Sequence, residues 1–221
     1  MTIDPVATAG LVTREVRTGS RNGRATKIVV ARRTYPTGQA DLWDALTNAE
    51  RIPRWFLPVS GELKVGGRYQ LKGNAGGVVE SCDELESFAV TWEFGGMMSW
   101  LTVTLAPDGR GTRLELAHEA HVDPDMWGQF GPGAVGVGWD LGLIGLGLHI
   151  ESGEQVDRAT AVTFPASPEG LEFVRRAAAG WADAAVKDGD DRGRANEAAA
   201  RTVAFYTTPP EAAPAEGGPG N

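Results

Sequence analysis

The feature that most constrains the fold is the run at residues 133–150, GAVGVGWDLGLIGLGLHI, the least polar stretch of the chain. It contains one acid, Asp140, and a glycine at every second to fourth position. On a helix at 100° per residue, Val135, Trp139, Leu143, Leu146 and Ile150 form one face, and Val137, Leu141, Ile144 and Leu148 form the opposite face. Gly138, Gly142 and Gly145 lie along one edge between these faces, and Gly136, Asp140 and Gly147 lie along the other. Such a helix is buried on two sides, and its glycine edges allow another backbone to come close.

A membrane span is the alternative interpretation of this run. Eighteen residues lie at the lower limit for a span, and glycine is tolerated in membrane helices. However, Asp140 near the middle costs about 2.5–3.5 kcal/mol on insertion scales. No basic cluster flanks the run, and a strand-rich segment precedes it. We therefore predict a buried helix and no membrane span.

The bulk composition limits the class of protein. The 221 residues are 42% hydrophobic and 23% charged, which is typical of a globular chain. The net charge of −8 argues against general nucleic-acid binding. The single cysteine, Cys82, excludes an internal disulfide and suits a reducing compartment, and the N-terminus lacks a secretory pattern. We expect a cytoplasmic protein.

The chain before the glycine-rich run is predicted to form a sheet with one apolar face. Residues 27–35 alternate as a first strand, and a helix capped by Thr37 and a short helical piece at 49–56 follow. Residues 66–122 have period two and short turns, which indicates an antiparallel meander. Its apolar face carries Tyr69, Leu71, Val79, Val90, Trp92, Phe94, Leu101, Val103, Leu105, Leu114, Leu116 and His118. We expect the 133–150 helix to cover this face.

The chain divides into four segments. Residues 1–24 are predicted to be partly helical or disordered, and residues 25–152 to form the main domain. Residues 153–207 form a helical C-terminal extension that covers the outer side of the 133–150 helix, although a partner subunit in a homodimer would serve equally well. Residues 208–221 are rich in Pro, Gly and Ala and are predicted to be disordered.

Several motifs resemble a known family. In order they are Arg33-Thr-Tyr-Pro36, Leu42-Trp-Asp-Ala-Leu-Thr47, Ile52-Pro-Arg-Trp-Phe56, Gly66-Gly-Arg-Tyr69, Gly77-Val-Val-Glu80, Val90-Thr-Trp-Glu93 and the strand from Gly111 to His118. They are similar to SRPBCC domains of the AHSA1 type (activator of Hsp90 ATPase C-terminal domain-like). The resemblance implies an α+β, helix-grip (START-like, Bet v 1-like) fold, in which a curved antiparallel sheet wraps on a long C-terminal helix. It also implies a cavity between sheet and helix for a small apolar or aromatic molecule.

The residues predicted to line this cavity are Trp55, Tyr69, Val79, Trp92, Phe94, Trp100, His118, Trp139, Leu143 and Leu146. The alternative for each aromatic residue is that it fills the core. His118 and Asp140 are candidates for an acid–base pair if the fold brings them together; otherwise each is satisfied by neighbouring groups. We predict no metal and no cofactor, because the spacing of His118 and His121 places the two on opposite faces of a strand and no phosphate or dinucleotide motif occurs.

Three functions are compatible with the predicted fold and cavity. The first is binding of a small hydrophobic or aromatic ligand, oriented by His118 or Asp140. The second is a cofactor-independent cyclase or dehydratase that uses the same cavity. The third is a chaperone-associated, Hsp90 activator-like interaction protein, although that co-chaperone has an N-terminal domain that we do not expect the 24 residues before the main domain to supply.

Overall fold

The computed structural model describes residues 4–208, so the predicted disordered tail, apart from Thr208, lies outside the described residues. Within them, eight strands form one antiparallel sheet in the order β1-β2-β8-β7-β6-β5-β4-β3. The strands are β1 Thr13–Arg21, β2 Arg24–Tyr35, β3 Val59–Gly61, β4 Arg68–Leu71, β5 Gly76–Asp83, β6 Ser87–Phe94, β7 Met97–Asp108 and β8 Gly111–His121. The helices are α1 Pro5–Gly10, α2 Gln39–Thr47, α3 Pro124–Phe130, α4 Gly133–Ser152, α5 Arg158–Thr163, α6 Pro168–Lys187 and α7 Arg192–Thr207. The chain has an α+β helix-grip fold.

Strand β1 corrects the prediction for the N-terminal segment. Thr13–Arg21 is not helical or disordered but pairs with β2 along its whole length. The hairpin turn is Asn22-Gly23, and both residues have positive φ. Asn-Gly is the strongest short signal for such a turn, because its two central residues need this left-handed backbone. This hairpin signal is therefore present in the sequence itself.

The predicted start of α2 is also wrong. The helix begins at Gln39 with Gly38 as its N-cap, and no side chain caps it. The Thr37 hydroxyl donates instead to the Asp41 carboxylate at 2.7 Å. The helical piece expected at 49–56 is shorter, a 3₁₀ turn at Ile52–Arg54.

Helix α4 packs against strand β2 of the sheet and against α6. Val137, Leu143, Ile144 and Leu146 are buried, whereas Val135 at the first turn is exposed. The cover expected on the outer side comes from α6 of the same chain, which occupies part of the extension predicted to be helical.

Both glycine edges of α4 are used for close contacts. A Cβ on Gly136 would lie 2.2 Å from the Trp181 ring of α6, and one on Gly145 would lie 2.6 Å from the Trp55 carbonyl oxygen. Larger side chains at these positions would push the neighbouring elements away. The glycines therefore bring α6 and the segment after the 3₁₀ turn into direct contact with α4.

Among residues 4–208, α4 alone has the length and composition of a membrane-spanning helix. However, 56% of its 18-residue apolar stretch is buried inside the structure. Asp140, the acid near the middle of the helix, is completely buried and paired with Arg14. These contacts are those of a core helix in a globular domain.

Candidate functional site

A cavity of about 410 Å³ lies between the inner face of β4–β8 and the segment that runs from α2 through the 3₁₀ turn. Strand alternation points Val90 and Trp92, and likewise Leu101 and Val103, toward it. Exposed residues mark its mouth: Leu63, Lys64, Cys82 and Glu84. Aromatic side chains form much of the wall: Trp43, Trp55, Phe56, Tyr69, Phe88, Trp92 and Trp139.

Four of these aromatic rings form a continuous ladder beside α4. The ring centroids are 5.3 Å apart for Trp55 and Phe56, 6.1 Å for Phe56 and Trp139, and 5.1 Å for Trp139 and Trp92. These separations are typical of favourable aromatic pairs. The ladder therefore connects the 3₁₀ segment, α4 and the sheet at one side of the cavity.

His118 lies behind this ladder and holds it in place. The Trp139 indole N–H donates to His118 Nδ1 at 2.9 Å, and His118 Nε2 lies 2.7 Å from Ser99 Oγ. Because an indole N–H only donates, Nδ1 is the bare nitrogen of the neutral ring, and Nε2–H donates to Ser99. The Ser99 hydroxyl in turn donates to the Trp92 carbonyl at 3.1 Å. Both polar atoms of His118 are thus engaged within the protein.

Burial lowers the pKa of His118 to about 4, so the ring is neutral near pH 7. The same tautomer excludes His118 as the base for Ser99, because Nε2 already carries a proton. His118 therefore acts as a structural hydrogen-bonding group between Trp139 and Ser99.

Asp140 lies on the other side of α4, away from the cavity. Its Oδ2 accepts from Arg14 Nε at 3.0 Å and from the Trp181 indole N–H at 2.9 Å, while Oδ1 is buried without a partner. Burial raises the pKa of Asp140 to about 6, against the opposing effects of Arg14 and Trp181. Asp140 therefore ties α4 to the N-terminal segment and to α6.

The structure does not bring His118 and Asp140 together as an acid–base pair. Each has its own hydrogen-bond partners, on different sides of α4, and neither lines the cavity. Adjacent residues 139 and 140 project about 100° apart on a helix, so Trp139 faces the cavity while Asp140 faces α6.

Five predicted residues line the cavity: Trp55, Tyr69, Val79, Trp92 and Trp139. Leu143 and Leu146 are instead buried in the core, where the Leu143 carbonyl accepts from Arg33 and from Tyr35. The roof of the cavity is formed mainly by α2 and the 3₁₀ segment, and α4 contributes Trp139.

Phe94 and Trp100 lie outside the cavity. Phe94 is 54% exposed, next to the Gly95-Gly96 turn between β6 and β7. Trp100 is buried on the outer face of the sheet, where the Arg21 guanidinium lies 4.3 Å from its ring centroid. Strand alternation explains this, because Leu101 faces inward and its neighbour must face outward.

Sequence reasoning missed Trp43, Phe56 and Phe88 as lining residues. Phe88 shares the alternation of Val90 and Trp92, so the strand pattern already contained that signal. Trp43 lies on the apolar stripe of α2, but its position over the sheet is set by tertiary packing.

No group of three or more His, Cys, Asp or Glu residues within 4–208 is arranged to hold a metal ion. The site is therefore an aromatic cavity with exposed polar groups at its mouth.

Known proteins with similar sequences and structures identify the family to which this fold is related. Residues 36–141 match the AHSA1 family, described as Activator of Hsp90 ATPase homolog 1-like protein. The crystal structure of CalU16 from Micromonospora echinospora is 28% identical, covers 78% of this chain and 97% of CalU16, and has a TM-score of 0.63. Its solution structure, 26% identical over 80% of this chain and 97% of CalU16, has a TM-score of 0.66.

Two more distant structures share the fold. Protein MLL2253 from Mesorhizobium loti is 22% identical over 56% of this chain and 96% of its own, with a TM-score of 0.51. DynU16, a protein of the dynemicin biosynthetic locus, is 19% identical over 58% of this chain and 48% of its own, with a TM-score of 0.52. No curated protein matches the chain in sequence.

The likeness to CalU16 extends past α4. A share of 78% of 221 residues is about 172 residues, which is more than the 152 residues up to the end of α4. The shared structure therefore includes part of the C-terminal helices. Together with the match over residues 36–141 and the helix-grip sheet, this shows that the chain belongs to the SRPBCC/AHSA1-like superfamily.

Proposed function

We propose that the chain binds a small hydrophobic or aromatic molecule in the cavity between the sheet and the α2–3₁₀ segment. The observation that carries this proposal is the aromatic wall around about 410 Å³ of space. Ligand cavities of roughly 300–1,000 Å³ with apolar walls accommodate drug-sized molecules. Folding leaves this wall lined with apolar surface that a ligand would cover.

Burial of apolar surface supplies the favourable energy for binding in such a cavity. Burial of apolar surface contributes about 25 cal/mol per Å², so a ligand that buries about 200 Å² gains about 5 kcal/mol from its own surface. Covering the aromatic wall adds to this gain, and the loss of translational and rotational freedom opposes it. The aromatic ladder is held by hydrogen bonds before the ligand arrives, which limits the cost of ordering side chains.

Binding is favoured over catalysis by the positions of the two candidate proton carriers. A cyclase or dehydratase that uses His118 and Asp140 needs both groups at the substrate, but neither lines the cavity. The chaperone-associated alternative rests on the family match alone. We therefore propose a binding module, and we keep a cytoplasmic location as part of the proposal because one cysteine suits a reducing compartment.

The first test is native mass spectrometry of the protein purified from its own host, compared with its denatured mass. We expect one small molecule per chain, lost on denaturation. The same spectrum reports whether the protein is a monomer or a homodimer.

The second test fills the cavity from its wall. Val103 on β7 faces the cavity, whereas its neighbour Thr102 is exposed on the other side of the sheet. Val103→Phe should weaken binding of fluorene, an uncharged three-ring hydrocarbon, by about tenfold or more, since a 1.4 kcal/mol loss already gives that factor. Thr102→Phe should leave binding unchanged. Equal affinity of both folded variants for fluorene would contradict the proposed site.

A further inference from the structure

We infer that the ligand is uncharged and carries a hydrogen-bond acceptor, such as a carbonyl or ether oxygen, that accepts from the indole N–H groups of Trp43 and Trp92. This inference rests on the proposed function, since it specifies the chemistry of the molecule in the same cavity. It follows from an inventory of the polar groups in the cavity wall.

The charged groups of the wall lie at the mouth. They are Lys64 and Glu84, both exposed, and the Lys64 amine already pairs with the Glu62 carboxylate at 2.9 Å. An ionised group deeper in the cavity would lose its hydration without a counter-charge, which is costly. The wall therefore selects a ligand whose buried part is neutral.

Most polar side chains in the wall already donate to the protein. The Tyr69 hydroxyl donates to the Thr91 carbonyl at 2.8 Å, and the Trp55 N–H donates to the Ala45 carbonyl at 2.8 Å. The Trp139 N–H donates to His118, and the Thr47 hydroxyl donates to the Trp43 carbonyl at 2.8 Å. None of these donors is available to a ligand without breaking a bond within the protein.

Two donors remain. Across residues 4–208, the indole N–H groups of Trp43 and Trp92 have no hydrogen-bond partner, although both side chains line the cavity and Trp43 is only 8% exposed. Both N–H groups are accessible to solvent. Within the described residues, the unpartnered side-chain atoms that are fully buried are Arg33 Nε, His121 Nδ1 and Asp140 Oδ1. An indole N–H only donates, so it matches an acceptor on the ligand.

The test uses three probes with one ring skeleton: fluorene, 9-fluorenone, which adds a carbonyl oxygen, and fluorene-9-carboxylate, which adds a charge. Equilibrium dialysis gives the affinity of each probe for wild type, for Trp43→Phe and Trp92→Phe, and for the double variant. Trp100→Phe is the matched control, because Trp100 lies on the outer face of the sheet.

The decisive quantity is the ratio of fluorenone to fluorene affinity within each protein, since damage to the apolar wall affects both probes. A neutral hydrogen bond contributes about 1 kcal/mol, so the ratio should fall about five-fold in the double variant and stay constant in Trp100→Phe. The same ratio in each single variant shows how much of this loss comes from the Trp43 N–H and how much from the Trp92 N–H. Fluorene-9-carboxylate should bind more weakly than fluorene to wild type.

The outcomes separate this inference from the proposed function. If fluorene binds but the ratio of fluorenone to fluorene affinity is the same in wild type and the double variant, the hydrogen bond to a ligand acceptor is refuted. The proposed apolar binding cavity is then still supported. If the carboxylate binds as tightly as fluorene, the requirement for a neutral ligand is refuted. If no probe binds wild type, the proposed function fails, and the inference fails with it.

Discussion

Replacing Asp140 by asparagine tests how the buried carboxylate couples the helices. Asp140 is completely buried, receives hydrogen bonds from Arg14 and Trp181 on one oxygen, and has no partner on the other. In an ordinary salt bridge the cation lowers the pKa of the acid. Here burial outweighs Arg14 and raises the pKa to about 6 from 3.8.

The sign of the pH dependence follows from this shift. The folded protein binds the proton on Asp140 more tightly than the unfolded chain does, so the contribution of Asp140 to the free energy of unfolding is fully present below about pH 4 and is lost as the pH rises through about 6. One pKa unit is worth about 1.4 kcal/mol. From about pH 7.5 to about pH 4.5, wild type should therefore gain about 2 kcal/mol relative to Asp140→Asn.

The measurement is urea unfolding of both proteins at the two pH values, followed by circular dichroism at matched ionic strength. Other groups titrate in both proteins, such as Glu15, whose pKa is lowered to about 2 by its hydrogen bonds to Arg17 and Arg32, and they cancel in the difference. Glu151→Gln, at the exposed end of the same helix, should show no such difference from wild type. If wild type and Asp140→Asn respond equally to pH, or if wild type loses stability relative to the variant on acidification, the raised pKa is refuted.

Three further predictions follow from the same contacts. Gly136→Ala would place a Cβ 2.2 Å from the Trp181 ring and should lower the free energy of unfolding by about 1–3 kcal/mol. Gly128→Ala, whose Cβ would have no atom within 4 Å, should not lower it, and thermal unfolding of both variants measures the difference. Burial lowers the pKa of His118 to about 4, so wild type should lose about 2.5 kcal/mol of unfolding free energy relative to His118→Asn from about pH 7.5 to about pH 4.5, and an equal change in both proteins on urea unfolding would contradict this. Cys82, the only cysteine, lies at the cavity mouth, so saturating fluorene should slow its reaction with a thiol reagent several-fold; an unchanged rate would place the probe elsewhere.

Much of the fold was predictable because its signals are local. The period-two alternation gave the strands from β4 to β8, and the two glycine edges of α4 predicted close packing on both sides. The same local rules also account for two features that differ from the prediction. Asn22-Gly23 marks the β1–β2 hairpin, and alternation from Leu101 places Trp100 on the outer face.

The position of the cavity was not predictable, because it depends on how far each helix lies from the sheet. Residues such as Leu143 are equally apolar whether they fill the core or face an empty space. Likewise, the sequence spacing of His118 and Asp140 does not show that α4 separates them. Such questions are decided by contacts between residues far apart in the chain, for instance Arg14 with Asp140.

The glycine edge of α4 explains why the cavity lies under α2 and the 3₁₀ segment. Gly145 lets the Trp55 backbone approach the helix, and the Phe56 ring lies 3.5 Å from where a Cβ on Gly142 would be. An α4 with large side chains here would hold this segment away and fill the space with its own residues. With glycines, Trp55 and Phe56 are placed against the helix, and they stack toward Trp139 to close one side of the cavity. The glycines of α4 thus let the helix support one wall of the aromatic cavity.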